Sequence, residues 1–344
     1  MKARTLLTAF ALATLFSCTK DHTSDDQNPI FEASLGGVYI SNEGQFTNGN
    51  ASVSYYGGST QNVVGNAYYA ANREALGDIC QSMYLINDKI YLVVNNSGKI
   101  VVTNAFSMMH TGTITGFTSP RYFLPVTSTK AYVTDLYSNQ ISVVDLTSNT
   151  ITGHIPLNGS SEALLLHNGY AYVTNMSTSE LYKINVSTDN VSDSVQVSPG
   201  GNSICEDKDG KIWVLGGGDY LTGAPGGLTR IDPATGDIEL SLTFGSTNYP
   251  TKLRINSTGD TLFYIDNHIY KMAITDIALP STPFVVSGGR SLYGLGYDNA
   301  TNLLYVSDAK DFQQNGRIYR YNTNGALIDN FAAGIAPGDF LFLH

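Results

Sequence analysis

The segment Lys130-Ala-Tyr-Val-Thr-Asp-Leu-Tyr-Ser-Asn-Gln-Ile-Ser-Val-Val-Asp-Leu-Thr-Ser-Asn-Thr-Ile-Thr152 decides the fold. Residues 131–134 and 141–145 set β-branched or aromatic residues against small ones, the period-two pattern of half-buried strands. Residues 135–139 and 147–149 are turn sequences rich in Ser, Asn and Asp. A further strand begins at Thr150. Strand, loop, strand, turn, strand is thus one unit of supersecondary structure.

Working outward, the same unit recurs along the chain. Its second strand carries an aromatic at a fixed place: Tyr39, Tyr91, Tyr132, Tyr172, Trp213, Phe263 and Tyr305, at intervals of about 40 to 52 residues. Its third strand recurs at residues 51–55, 99–103, 140–144, 180–184, 227–231, 268–272 and 317–321. Four short strands in such a period mark a β-propeller blade. The chain therefore reads as all-β, a seven-bladed β-propeller over residues 35–344. The repeated aromatic is assigned to packing between blades.

The two ends complete the argument. The first copy opens at its second strand, and the chain finishes with Asp339-Phe-Leu-Phe-Leu-His344, an inner-strand sequence with no blade after it. Pairing this C-terminal strand with the first blade closes the ring and leaves no bare edge.

Residues 1–17 read as a processing segment. Lys2 and Arg4 precede an apolar run too short to span a bilayer, ending at Leu15-Phe16-Ser17-Cys18, which resembles a bacterial lipobox. Cys18 is the expected lipidation site, and residues 18–34 a flexible tether rich in polar residues. The membrane would be engaged through this anchor alone, because the repeats contain no run of 18 apolar residues. A formal charge of −10 argues against a nucleic-acid partner. Cys80 and Cys205 fall on inner strands of nearly opposite blades, too far apart for a bridge, and are expected as separate buried thiols.

Propeller topology sorts the loops onto two faces. Turns joining strands one to two and three to four are clipped, as at Asn168 and Gly169. Loops joining strands two to three, and blade to blade, are longer and more varied, and long loops on a rigid scaffold are the usual seat of binding. On that face fall Phe46, Tyr122, Tyr137, Met176, Tyr220, Tyr249, Tyr293 and Phe312, with Arg121, Arg290, Asn42, Asp135, Asn175 and Asp308 as polar partners. Large aromatics with a few polar groups suit a large, flat or amphipathic ligand. The histidines are expected elsewhere, so no histidine-built metal centre is indicated. Carboxylates such as Glu43 and Glu162 occur on this face but on different blades, and no spacing marks an acid/base pair. No catalytic residue, metal or cofactor is assigned.

Six stretches carry a family resemblance: Ser41-Asn-Glu-Gly-Gln-Phe46, Asn50-Ala-Ser-Val-Ser54, Leu76-Gly-Asp78, Gln81-Ser82, Val94-Asn-Asn-Ser-Gly-Lys99 and Ser119-Pro-Arg-Tyr122. They resemble the surface propeller lipoproteins of Bacteroidetes, within the wider YncE-like group, which includes the BtuG-type cobalamin-binding lipoproteins. The resemblance implies a non-catalytic protein, lipid-anchored in the outer membrane and exposed at the cell surface. Such a protein captures cobalamin or another corrinoid as ligand rather than cofactor, and passes it to a TonB-dependent outer-membrane transporter. A siderophore, haem or glycan ligand, or a propeller-type lactonase or lyase, are the alternatives.

Overall fold

The second strand of each repeat is apolar on both faces, because blades press on it from either side. In the computed structural model, which describes residues 31–344, these strands are Val38–Asn42, Lys89–Val94, Lys130–Asp135, Tyr170–Asn175, Ile212–Gly216, Thr261–Asp266 and Leu303–Asp308. Each pairs with an inner strand and a third strand, giving seven antiparallel sheets. Outermost strands such as Asn190–Gln196 are largely exposed and polar.

The repeated aromatics are all buried and tie each blade to the next. Tyr39 donates to the Ala105 carbonyl at 2.7 Å. Tyr91 stacks on Phe123 at 4.5 Å, Tyr132 donates to Asp189, and Tyr172 donates to the Pro233 carbonyl at 3.2 Å. Trp213 packs into the core it shares with Leu253, Leu262 and Tyr264. Phe263 stacks on Tyr297 at 5.6 Å, and Tyr305 meets Phe342 edge-on at 5.0 Å. The last contact joins the seventh blade to the first.

Closure follows the expected register. The C-terminal strand Pro337–Phe342 lies antiparallel to Val38–Asn42, with Val38 opposite Phe342 and Ile40 opposite Phe340. At the other end the chain is already packed from Phe31, whose ring meets Tyr55 at 5.4 Å, and Ala33 donates its amide to Phe106. The body thus reaches back into the segment 18–34 read as a tether. Cys18 and the processing segment lie outside the described residues.

Two blades depart from four full strands. The sixth has three, with a single bridge between Ile269 and Val285 in place of the fourth. In the first blade the outer strand shrinks to Val63–Val64, and the helix Ala67–Asn72 follows it. Asn66 caps that helix through its side chain, and Arg73 ends it in a left-handed conformation. Cys80 and Cys205 are free and buried, and burial holds both thiols well above their ordinary pKa.

Candidate binding site at the mouth of the channel

All seven inner strands break register near their long-loop end: at Cys80/Ser82, Pro120/Phe123, Ser161/Leu164, Gly201/Ser203, Thr251/Arg254, Leu292/Leu295 and, opposite Ser41/Asn42, in the C-terminal strand. Two residues oppose one there, which turns a side chain out of the ladder and leaves an amide without its regular partner. In three blades a buried hydroxyl on the second strand takes that amide. Thr134 accepts from Tyr122 N at 2.9 Å, Thr174 from Ala163 N at 2.9 Å, and Ser307 from Gly294 N at 2.6 Å.

The residue so aimed is the second of each inner strand: Gln81, Arg121, Glu162, Asn202, Lys252, Tyr293 and Gly338. The first six line one cavity of about 280 Å³ on the propeller axis. At the seventh, glycine leaves room for a neighbour, since a Cβ on Gly338 would lie 2.8 Å from Glu43 Oε1. Glu43 thereby completes the ring from an adjacent loop.

The ring is cross-linked around its circumference. Arg121 holds Glu162 through both carboxylate oxygens, at 2.6 and 2.7 Å, and also donates to Gln81. Tyr293 donates to Glu43 at 2.7 Å. The Lys252 ammonium stands 5.7 Å from the centre of the Tyr293 ring. Burial raises the Glu43 carboxyl, against the opposing pull of Lys252 and of the Tyr293 hydrogen bond. Burial alone would lower Arg121, but Glu162 outweighs it and holds the guanidinium charged. Below this ring a second cavity of about 260 Å³ includes the Arg254–Asp339 pair in its wall. Tyr122, Asn202, Ser203 and Lys252 face both cavities.

The residues singled out from the sequence separate into three groups. Arg121, Tyr122, Met176, Tyr249 and Tyr293 line the mouth. Phe46, Tyr137 and Tyr220 stand on the outer loops at 68, 76 and 75 % exposure, and Phe312 packs edge-on against Tyr293 at 5.1 Å. The remainder hold the scaffold. Asn42, Asp135, Asn175 and Asp308 are buried at the ends of second strands, where their side chains satisfy loop backbone or neighbouring hydroxyls. Asp135 accepts from Thr118 N and Ser119 N, and Asp308 from Ser291 N. Asn175 donates to the Asn158 carbonyl, and Asn42 to Ser52 and Ser54. Arg290 lies over Tyr319 at 4.2 Å, away from the mouth. The polar groups of these five all have partners within the protein.

Gln81, Asn202 and Lys252 were missed, and Glu43 and Glu162 had no visible partner in the sequence. One signal was present: a hydroxyl residue at the end of a second-strand motif, as in Thr134, Thr174 and Ser307, marks the bulge opposite. His268 corrects the placement of the histidines. It opens a third strand on the long-loop side, with Nδ1 3.0 Å from Ser287 Oγ. Among the described residues no trio of His, Cys, Asp or Glu is gathered for a metal, and no helix is long and apolar enough to cross a membrane.

Solved structures share the architecture. A quinonprotein alcohol dehydrogenase-like protein from Bacteroides thetaiotaomicron matches with a TM-score of 0.68 at 16% identity, covering 90% of this chain and 79% of that one. A protein from Lactobacillus plantarum matches with a TM-score of 0.68 at 13% identity, over 90% and 100% of the two chains. A candidate 6-phosphogluconolactonase from Bacteroides fragilis gives 0.66 at 14% identity, over 90% and 98%. At such identities the likeness is one of fold. No curated protein sequence matches. A family model does match, over residues 36–334, and the chain belongs to that family, the domain of unknown function DUF5074.

Proposed function

We propose that this propeller is a non-catalytic capture protein for a large, amphipathic small molecule, with a corrinoid such as cobalamin as the leading candidate. The observation that carries the reading is the pattern on the long-loop face. Exposed large side chains, among them Phe46, Tyr137, Tyr220 and Tyr249, stand on the same face as a polar, charged mouth. A cavity of about 280 Å³ is small beside the roughly 300–1,000 Å³ of drug-sized sites. A macrocycle therefore lies across the rim, with a polar substituent entering the mouth. Tight capture needs no chemistry, since a nanomolar Kd is about −12 kcal/mol and several buried rings supply that scale.

In this reading the chain is anchored through Cys18 and hands its ligand to a TonB-dependent transporter. The described residues begin at Phe31, and Ala33 donates its amide to the Phe106 carbonyl in a turn of the short-loop face. Calorimetric titration with cyanocobalamin tests the reading. Saturable heat at micromolar protein is expected, and its absence overturns the corrinoid assignment. The visible spectrum of protein taken from its native membrane then separates a haem or siderophore from a colourless glycan.

One observation favours a second reading, a lactonase or lyase. Glu43 is a half-buried acid of raised pKa that feels the charges of Arg121 and Lys252, a setting that active sites also use. That reading expects turnover of a sugar lactone, lost in Glu43→Gln.

A further inference from the structure

At the channel mouth several acceptors are already engaged, while four donors have no protein partner among the described residues. Both oxygens of Glu162 are held by Arg121, Glu43 Oε1 accepts from Tyr293, and Asn202 Oδ1 accepts from Ser203 at 2.7 Å. Arg121 has only donors, so Gln81 turns its carbonyl oxygen toward it and its amide N–H groups the other way. Among the described residues, the Gln81 amide, the hydroxyls of Tyr122 and Tyr249 and the Lys252 ammonium donate to no protein group. All four line the same cavity.

Lys252 has further distinguishing features. It has no carboxylate within ion-pair distance among the described residues, although Arg121 and Arg254 each have one. Of the seven equivalent ring positions it alone has a left-handed backbone, with φ of 60°. A non-glycine residue held there costs about 1–3 kcal/mol, and such strain gathers at ligand sites. It faces both cavities along the axis. Counting charge, Arg121, Lys252 and Arg254 stand against Glu43, Glu162 and Asp339. Lys252 is the cation of this set with no carboxylate in ion-pair contact, although its charge and that of Glu43 act on each other at longer range.

We propose that the mouth of the channel binds a single carboxylate or phosphate group, held by the Lys252 ammonium with the Gln81 amide and the Tyr122 and Tyr249 hydroxyls around it. Charge-assisted hydrogen bonds from such donors are short and strong, and the half-enclosed site screens them less than open solvent does. The inference does not depend on which large ligand covers the rim. It applies equally to a free small acid and to an anionic arm of a larger molecule.

Calorimetry at constant ionic strength tests it, with succinate in one arm and inorganic phosphate in the other, each against sodium chloride. Saturable binding of at least one anion at millimolar concentration or below is expected. Tighter binding of phosphate than of succinate assigns a phosphate group, and the reverse a carboxylate. Lys252→Met is expected to weaken binding about tenfold or more, and Lys252→Arg only a few-fold. Tyr249→Phe, at an exposed position, gives a second reading of about threefold weakening should Lys252→Met fail to fold. Binding of neither anion, or equal affinity in wild type and a folded Lys252→Met, overturns the proposal. A failed cyanocobalamin titration alongside positive anion binding removes the corrinoid reading and leaves this one standing.

Discussion

The Tyr293 hydroxyl donates to Glu43 Oε1 at 2.7 Å, joining residues 250 positions apart across the seam between the last blade and the first. The C-terminal strand closes the backbone at that seam, and this hydrogen bond closes the polar ring above it. Because Glu43 is half-buried and desolvated there, the contact also sets a pH dependence.

Burial raises the Glu43 carboxyl above its ordinary 4.5. The folded chain therefore keeps this proton at pH values where the unfolded chain has lost it. The resulting stability is complete below the unfolded value and is lost as pH rises through the folded one. Glu43→Gln cannot ionise and keeps an oxygen for Tyr293. It is expected to melt with wild type in acid, below the unfolded value, and at a higher temperature near about pH 8. Circular-dichroism melts across this range check it, and a pH-independent difference counts against it.

Glu43 sits where Gly338 leaves space. Gly338→Ala places a Cβ 2.8 Å from Glu43 Oε1 and forces the carboxyl aside. A loss of about 1–3 kcal/mol is expected, the usual scale of overpacking. Most of that loss should vanish in a Glu43→Ala background. Urea unfolding of the four chains in the cycle decides it, and additive effects would place the clash elsewhere.

The Arg121–Glu162 pair, with side chains 19 % and 4 % exposed, cannot lose one partner cheaply. Glu162→Gln or Arg121→Met leaves the other charge poorly solvated, at a cost of about 3 kcal/mol, the lower end for buried pairs because Arg121 keeps some solvent. Replacing both by apolar residues is expected to recover most of this. A coupling free energy near zero in the double-mutant cycle would show that solvent screens the pair.

Ring closure rests on Phe340, buried against Tyr305 at 5.8 Å and seated over Gly296. Phe340→Ala is expected to lose about 3–5 kcal/mol. Deleting residues 340–344 removes strand pairing as well and should abolish cooperative unfolding. Unchanged melting after the deletion would refute closure by this strand.

Rim residues should behave in the opposite way. Tyr137→Ala and Tyr220→Ala are expected to change stability by no more than about 0.5 kcal/mol, because both side chains stand in solvent. If the rim takes the ligand, each weakens its binding by about 1–2 kcal/mol. Equal affinity in both variants would move the ligand off this face.

Blade number, closure and the face of the long loops were legible in the sequence because they rest on local periodicity. An aromatic between apolar neighbours, turn residues at fixed offsets and a surplus strand at the C-terminus each speak through near neighbours in the chain. The buried role of Tyr132 and its six counterparts followed from repetition alone. For Asp135 and Asn175 the same periodicity is silent: each is a polar residue opening a long loop, and only the folded backbone shows which amides it holds.

The channel mouth was decided by tertiary structure. Gln81, Arg121, Glu162, Asn202, Lys252 and Tyr293 come from six blades and share no motif. A bulge in every inner strand aims them at one axis, and ring closure brings Glu43 beside Tyr293. Periodicity determines what each strand buries, because neighbouring residues set the pleat. The convergence of side chains so distant in sequence is a property of the closed ring, since only its curvature turns equivalent positions toward a common centre.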